Sequence, residues 1–232
     1  MEQAKLISLS DYVLSGGGAN GESFDCISDP NVMLKLYFPG KKSYSRATGD
    51  NPEKVHQYAG EFAQMCLQLH KVHVDTTQFE NVKDRYYRLL EENPFFTKAE
   101  KDALAKFIAD TPDEDTAVHG DLQYSNAIFV GDKRYFIDLG DFCYGNHLFD
   151  VAMVYLCCCL SSEDFIEPTF HMKKATAIRF WEEFAPVYFG SDRSLKDIEE
   201  EIKPYAGLKT LIVERDSRCP MPEFREVLKG II

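Results

Sequence analysis

The chain has 232 residues and a formal net charge of −12, from 38 acidic and 26 basic side chains. So acidic a surface argues against a nucleic-acid partner, because it repels a phosphate backbone. The longest apolar run, Val151 to Leu160, falls short of the roughly 18 residues a membrane helix needs, so no membrane partner is expected.

The opening segment, MEQAKLISLSDYV, has an acid at position 2 and no long apolar core. It does not read as a signal peptide, and a cytoplasmic protein is expected. Residues 6–14, 24–28 and 32–38 read as short strands, with a glycine cluster, SGGGANGES, as a flexible turn between the first two and Asp29-Pro30-Asn31 as a second turn. Pro39 to Asp50 reads as polar and irregular. Asn51-Pro52 then has the form of a helix start, with Asn as cap and Pro at the first position. Val55, Tyr58, Phe62, Cys66 and Leu69 follow at helical spacing to about Lys71, with His70 and His73 as helix-end histidines. A second helix is expected over 80–92, with Val82, Tyr86 and Leu89 inward. Thr97 and Glu100 fit a capping box ahead of Leu104, Phe107 and Ile108. The period then changes: 116–119, 127–130 and 134–139 read as strands, with Gly131-Asp132-Lys133 as a hairpin turn. Helices return at about 148–160, 168–189 and 195–215, with Pro186 and Pro204 as candidate breaks. Trp181, Phe180 and Phe184 read as core; an aromatic wall for a cation is the alternative. Cys157, Cys158 and Cys159 are adjacent and no CxxC pair occurs. They read as small buried hydrophobes, not as a zinc site.

The informative segment is His119-Gly120-Asp121-Leu122-Gln123-Tyr124-Ser125-Asn126, with Asp138 twelve residues further on in FIDLGD. Phosphoryl transfer from ATP needs a carboxylate to orient the attacking hydroxyl, and oxygen ligands to hold magnesium against the phosphates. A loop carrying Asp and, five residues later, Asn, followed by a hairpin that returns a second Asp, can place all three at one site.

These residues resemble the catalytic loop and metal motif of the aminoglycoside phosphotransferase and choline kinase family, whose fold is related to that of protein kinases. The resemblance implies Asp121 as catalytic base and Asn126 and Asp138 as magnesium ligands. It implies supporting roles for His119, Asp141 and Asp150, the last as a helix-start acid that braces the loop. Gly16, Gly17, Gly18, Gly21 and Ser23, with Lys35 on the following strand, resemble the phosphate-binding hairpin and lysine of a kinase small lobe. The fold implied is α+β and protein-kinase-like. It has a small, incomplete, β-rich N-terminal lobe over residues 1–42 and a larger, mainly helical catalytic lobe with a β-hairpin over 43–232. The activity implied is ATP- and magnesium-dependent phosphorylation of a hydroxyl on a small molecule such as an amino sugar or amino alcohol. A cationic acceptor suits the acidic surface, although acidic charge also does no more than keep a chain in solution.

The family pattern places a glutamate-bearing helix, two strands and an adenine-binding hinge after the lysine. Only fifteen residues separate Lys35 from Asn51, where those elements need roughly fifty. The competing reading is therefore an impaired kinase fold that binds nucleotide or a partner. The uncovered sheet edge would also offer pairing to a second copy of the chain. A two-metal phosphoesterase, prompted by Gly145-Asn146-His147 among several acids, lacks the DxH and HxH pairs its chemistry needs.

Overall fold

The computed structural model describes residues 12–18, 21–28, 33–37, 42–228 and 230–231. Strands β1 (Tyr12–Gly18), β2 (Gly21–Cys26) and β3 (Met33–Tyr37) form an antiparallel sheet in the order β1-β2-β3. The glycine cluster expected as a turn lies mostly inside the strands: Gly16 faces Ser23, Gly17 faces Glu22 and Gly18 faces Gly21. The ladder is made by backbone groups, so glycines can join it, and the register shifts between Leu14 and Gly16 as at a β-bulge. The strand expected from Leu6 begins at Tyr12, and residues 6–11 and the turn at 29–31 lie outside the described residues. Only residues 38–41 separate β3 from β4 (Lys42–Ser43), so no helix or strand pair intervenes.

The segment expected to be irregular holds β4 and helix α1 (Tyr44–Asp50). Ser43 caps α1 by accepting from the Arg46 amide at 3.2 Å, and Tyr44 and Ala47 are fully buried. A Cβ on Gly49 would lie 1.8 Å from the His171 carbonyl oxygen, so only glycine allows this contact. Asn51 does not cap the next helix. Its side-chain amide and its backbone N–H both donate back to the Ala47 carbonyl, at 3.1 and 3.0 Å, closing α1, and a 3₁₀ turn over Pro52–Lys54 leads into α2 (Val55–Leu69).

Helix α3 (Val82–Glu92) buries Val82, Tyr86 and Leu89. Helix α4 (Lys98–Asp110) starts with the expected box: Glu100 accepts from the Thr97 amide at 2.7 Å and Thr97 from the Glu100 amide at 3.3 Å. Strand β5 (Ala117–Val118) pairs with β8 (Cys143–Tyr144), and β4 joins β6 (Ala127–Val130) and β7 (Lys133–Phe136) in the order β4-β6-β7. Gly131 opens the β6–β7 turn at φ 56°, the positive value a two-residue connection requires.

Helix α5 (Leu148–Tyr155) passes into a π turn over Leu156–Leu160. Lys174 closes that turn, donating to the carbonyls of Cys158, Cys159 and Ser161 at 3.2, 2.8 and 2.7 Å. Helices α6 (Glu163–Phe170), α7 (Lys174–Phe189), α8 (Leu195–Leu208), α9 (Thr210–Ser217) and α10 (Pro222–Arg225) follow. Pro186 and Pro204 lie inside α7 and α8 without ending them; the break falls at Lys209.

The core is aromatic where α2 meets α7. Phe62 packs on Phe180 and Phe184 at centroid distances of 6.0 and 5.7 Å, and Trp181 stacks on Phe184 at 5.8 Å with no exposure. That burial makes these rings core, not a ligand wall. No disulfide forms among the described residues, and burial pushes the Cys143 and Cys159 thiols up to about 12. Among the described residues, no group of three histidine, cysteine or acidic side chains could hold a metal ion, and no helix is long and apolar enough to cross a membrane.

Candidate active site

The loop from His119 to Asn126 runs between β5 and β6, and its shape is fixed from beneath by one buried acid. Asp150, in the first turn of α5 and fully buried, accepts from the His119 amide at 2.6 Å and the Gly120 amide at 2.9 Å. His70, at the end of α2, donates from Nε2 to the same carboxylate at 3.1 Å, and its Nδ1 meets the Tyr188 hydroxyl at 2.6 Å. Burial raises the Asp150 pKa, but the hydrogen bond from His70 and the nearby positive groups outweigh it and hold the carboxyl below the usual range.

His119 is also fully buried. Its Nε2 donates to the Ile137 carbonyl at 3.0 Å and its Nδ1 accepts from the Asp121 amide at 3.3 Å, which fixes the Nε2–H tautomer. Ile137 in turn donates its amide to the Asn126 carbonyl at 2.9 Å. One residue thus ties both ends of the loop to the chain just before Asp138, and sets the Asn126 backbone beside Ile137.

Asp121 presents two different oxygens. Oδ2 accepts from Gln123 Nε2 at 3.0 Å and Asn126 Nδ2 at 2.9 Å; Oδ1 has no partner among the described residues. The Asn126 amide nitrogen also donates to the Asp121 carbonyl at 3.0 Å. With its donors committed, Asn126 keeps its carbonyl oxygen for another ligand. Asp138 is exposed and left-handed, at φ 62° and ψ 54°. That conformation is uncommon for a residue other than glycine and is found where function over-determines the backbone. Its carboxylate has no hydrogen bond or ion pair among the described residues.

A hard divalent cation fits this donor set. Magnesium takes one or two protein oxygens and fills its octahedron with phosphate and water, and Asn126 and Asp138 offer one amide and one carboxylate oxygen. Asp141 lies three residues beyond, its carbonyl bonded by Arg85 Nη1 at 2.7 Å and its carboxylate 3.7 Å from the same nitrogen. Gly120, at φ 88°, passes directly beneath it: a Cβ there would lie 2.0 Å from the Asp141 carbonyl oxygen.

Most residues of the N-terminal sheet, its glycines, Ser23 and Lys35 included, are described by backbone only. Ser23 stands between Gly16 and Lys35 in the register of β1, β2 and β3, while the side chains of Ser23 and Lys35 lie outside the described residues. Sequence reasoning missed His70, Tyr188, Gln123 and Arg85. A histidine at the end of an otherwise apolar helix face was the one signal available for His70.

A recess of about 300 Å³ opens at Asp121, between α3, the π turn, α6 and α9. A second, of about 310 Å³, reaches the same loop at Ser125 and is lined by Lys42, Ser43 and Arg46; the two share Thr169.

The model of the phosphotransferase enzyme family (APH) matches residues 32–184. That span carries every element of the loop and its brace except Tyr188, and the chain belongs to this family of kinase-type small-molecule phosphotransferases. Its fold is α+β and protein-kinase-like, with a small β-rich N-terminal region. Among solved structures, it is similar to a choline/ethanolamine kinase family protein from Mesorhizobium loti (16% identity, 87% of this chain and 67% of that one, TM-score 0.43). It is also similar to the choline kinase LicA from Streptococcus pneumoniae (14%, 91% and 74%, TM-score 0.43). A third is an ADP-bound aminoglycoside phosphotransferase (16%, 94% and 92%, TM-score 0.41). No curated protein sequence gives a significant match.

Proposed function

We propose that the chain is an ATP- and magnesium-dependent phosphotransferase acting on a hydroxyl of a small molecule. The observation that carries this reading is the division of labour within one loop. Asp121 keeps Oδ1 free while Oδ2 is held by Gln123 and Asn126, and Asn126 is turned so that only its oxygen remains available. In the reaction, the acceptor hydroxyl donates its proton to Asp121 Oδ1 as its oxygen bonds the γ-phosphorus; the bond from that phosphorus to the bridging oxygen breaks and ADP leaves. Magnesium, held by Asn126 and Asp138, would neutralise the phosphate charge. Asp150, His119 and Ile137 keep the loop in place, and the recess at Asp121 and its neighbour at Ser125 would receive the two reactants. Lys35 and the glycines of β1 and β2 would serve the phosphates from a lobe spanning residues 1–42, with residues 43–232 as the catalytic lobe. The setting is cytoplasmic. ADP release with a library of hydroxyl compounds, in wild type and Asp121→Asn, tests the assignment.

The fifteen residues between Lys35 and Asn51 favour a second reading, an impaired fold that binds nucleotide without turnover. Magnesium-dependent nucleotide binding with no ADP release from any acceptor would select it. An open edge of the N-terminal sheet would then pair with a second copy.

A further inference from the structure

Lys209 stands at the break between α8 and α9 with 1% exposure, the one buried lysine among the described residues. An ammonium taken out of water is costly unless an opposite charge compensates it, so Lys209 requires a counter-charge in the interior. Its Nζ lies 5.6 Å from the centroid of the Tyr86 ring and is in no ion pair within 4.0 Å among the described residues. Tyr86 stacks on Phe149 at 4.9 Å, and Phe149 precedes Asp150 in the first turn of α5, against which α8 packs. An aromatic pair thus links Lys209 to the residue next to the brace of the loop.

Tyr86 is not the counter-charge. Burial raises its pKa, so its hydroxyl is neutral where the ammonium is charged. The buried acids among the described residues are Asp150 and Glu214. Glu214 is matched by Arg225, whose Nε and Nη2 donate to its two oxygens at 2.8 and 2.9 Å. Asp150 accepts from two neutral amides and from His70, none of which carries a fixed positive charge. One interior therefore holds a carboxylate without a fixed cation and a lysine without a paired acid. Burial lowers the Lys209 pKa, but Tyr86 and the charges of Asp150 and Asp121 outweigh it and hold the ammonium above the usual range. Lys209 follows His70 among the groups that hold the Asp150 carboxyl down.

We propose that Lys209 is a positioning residue for the loop that carries Asp121: its buried ammonium is the counter-charge of Asp150 and acts on the His119 and Gly120 amides through that carboxylate. The charge works across the interior and not through a contact, which surroundings of low dielectric permit. The C-terminal helices thereby become part of the site as well as cover for the core. Only the effect on rate rests on the phosphotransferase reading.

A double-mutant cycle on the full chain, read by urea titration, tests the pairing. Methionine keeps the apolar stem of lysine and removes its charge. Lys209→Met in wild type strands the Asp150 charge and should raise the unfolding constant at least about tenfold. In Asp150→Asn the same change removes a stranded ammonium, so the double variant should be more stable than Asp150→Asn. A residue that only fills space gives the same loss in both backgrounds. Should a single variant fail to fold, recovery of a cooperative transition in the double variant supports the pairing. A double variant no more stable than Asp150→Asn overturns it, folded or not. In ADP release, Lys209→Met should lower kcat by about ten- to a hundredfold with KM for both reactants held, and an unchanged kcat would overturn the positioning role. Coupling in the cycle without ADP release by wild type from any acceptor would sink the phosphotransferase reading and leave the pairing standing.

Discussion

Replacing Asp150 with alanine removes the acceptor for three donors at once: the amides of His119 and Gly120, at 2.6 and 2.9 Å, and His70 Nε2 at 3.1 Å. The site is fully buried, so water does not replace the lost carboxylate. Each stranded buried donor costs about 1–3 kcal/mol, and breaking a buried charged pair costs about 3–5 kcal/mol. These overlap, and a total of about 3–5 kcal/mol is expected, a large share of the roughly 5–15 kcal/mol that holds a domain folded. For a chain of this size that lowers Tm by about 6–20 °C. Where the variant still folds, the loop is loosened at His119 and Gly120, and displacement of a catalytic group by about 1 Å costs on the order of a hundredfold in rate. Thermal melts and urea titrations measure the first effect, and kcat at a temperature below both transitions measures the second. A Tm within about 2 °C of wild type with kcat unchanged would refute the brace.

The Asp150 carboxyl is held below its usual range when folded, so the native state binds fewer protons than the unfolded chain there. Its contribution is fully present above the ordinary carboxylate range, near pH 4, and is lost as pH falls through the depressed value. Asp150→Asn should therefore flatten the acid limb of a stability–pH curve, measured by urea titration. Gly120→Ala places a Cβ 2.0 Å from the Asp141 carbonyl at a positive φ. It should cost at least about 2 kcal/mol and lower kcat, whereas Gly131→Ala, with open space around it, should cost about 1 kcal/mol and leave kcat alone. Asp138→Ala should remove the magnesium-dependent tightening of ATP binding in calorimetry; an unchanged magnesium dependence would take Asp138 out of the metal site.

The parts of the site that sequence makes legible are those set by local spacing. Asp121 and Asn126 sit on one loop, and a hairpin of fixed length returns Asp138 beside them, so the pattern of residue types carries the geometry. The brace is not local. His70 and Tyr188 meet across 118 positions and His70 and Asp150 across 80, and nothing in either neighbourhood marks the partner. Helix α1 was hidden because seven residues make under two turns, too few to show a period. The run Leu156-Cys-Cys-Cys-Leu160 has no polar positions, so the π turn left no mark in the pattern either. The glycines of β1 and β2 read as a turn because composition reports conformational freedom, while the ladder they join is set by a backbone that composition does not describe.

The central claim is that Asp121 takes the acceptor proton in a magnesium-dependent phosphoryl transfer, and ADP release by wild type and Asp121→Asn, measured with the same acceptors and matched for nucleotide binding, tests it most directly. The account predicts magnesium-dependent release in the wild type that falls by about a hundred- to ten-thousandfold in the variant, with ATP affinity and Tm nearly unchanged. Equal release from the two proteins would contradict it.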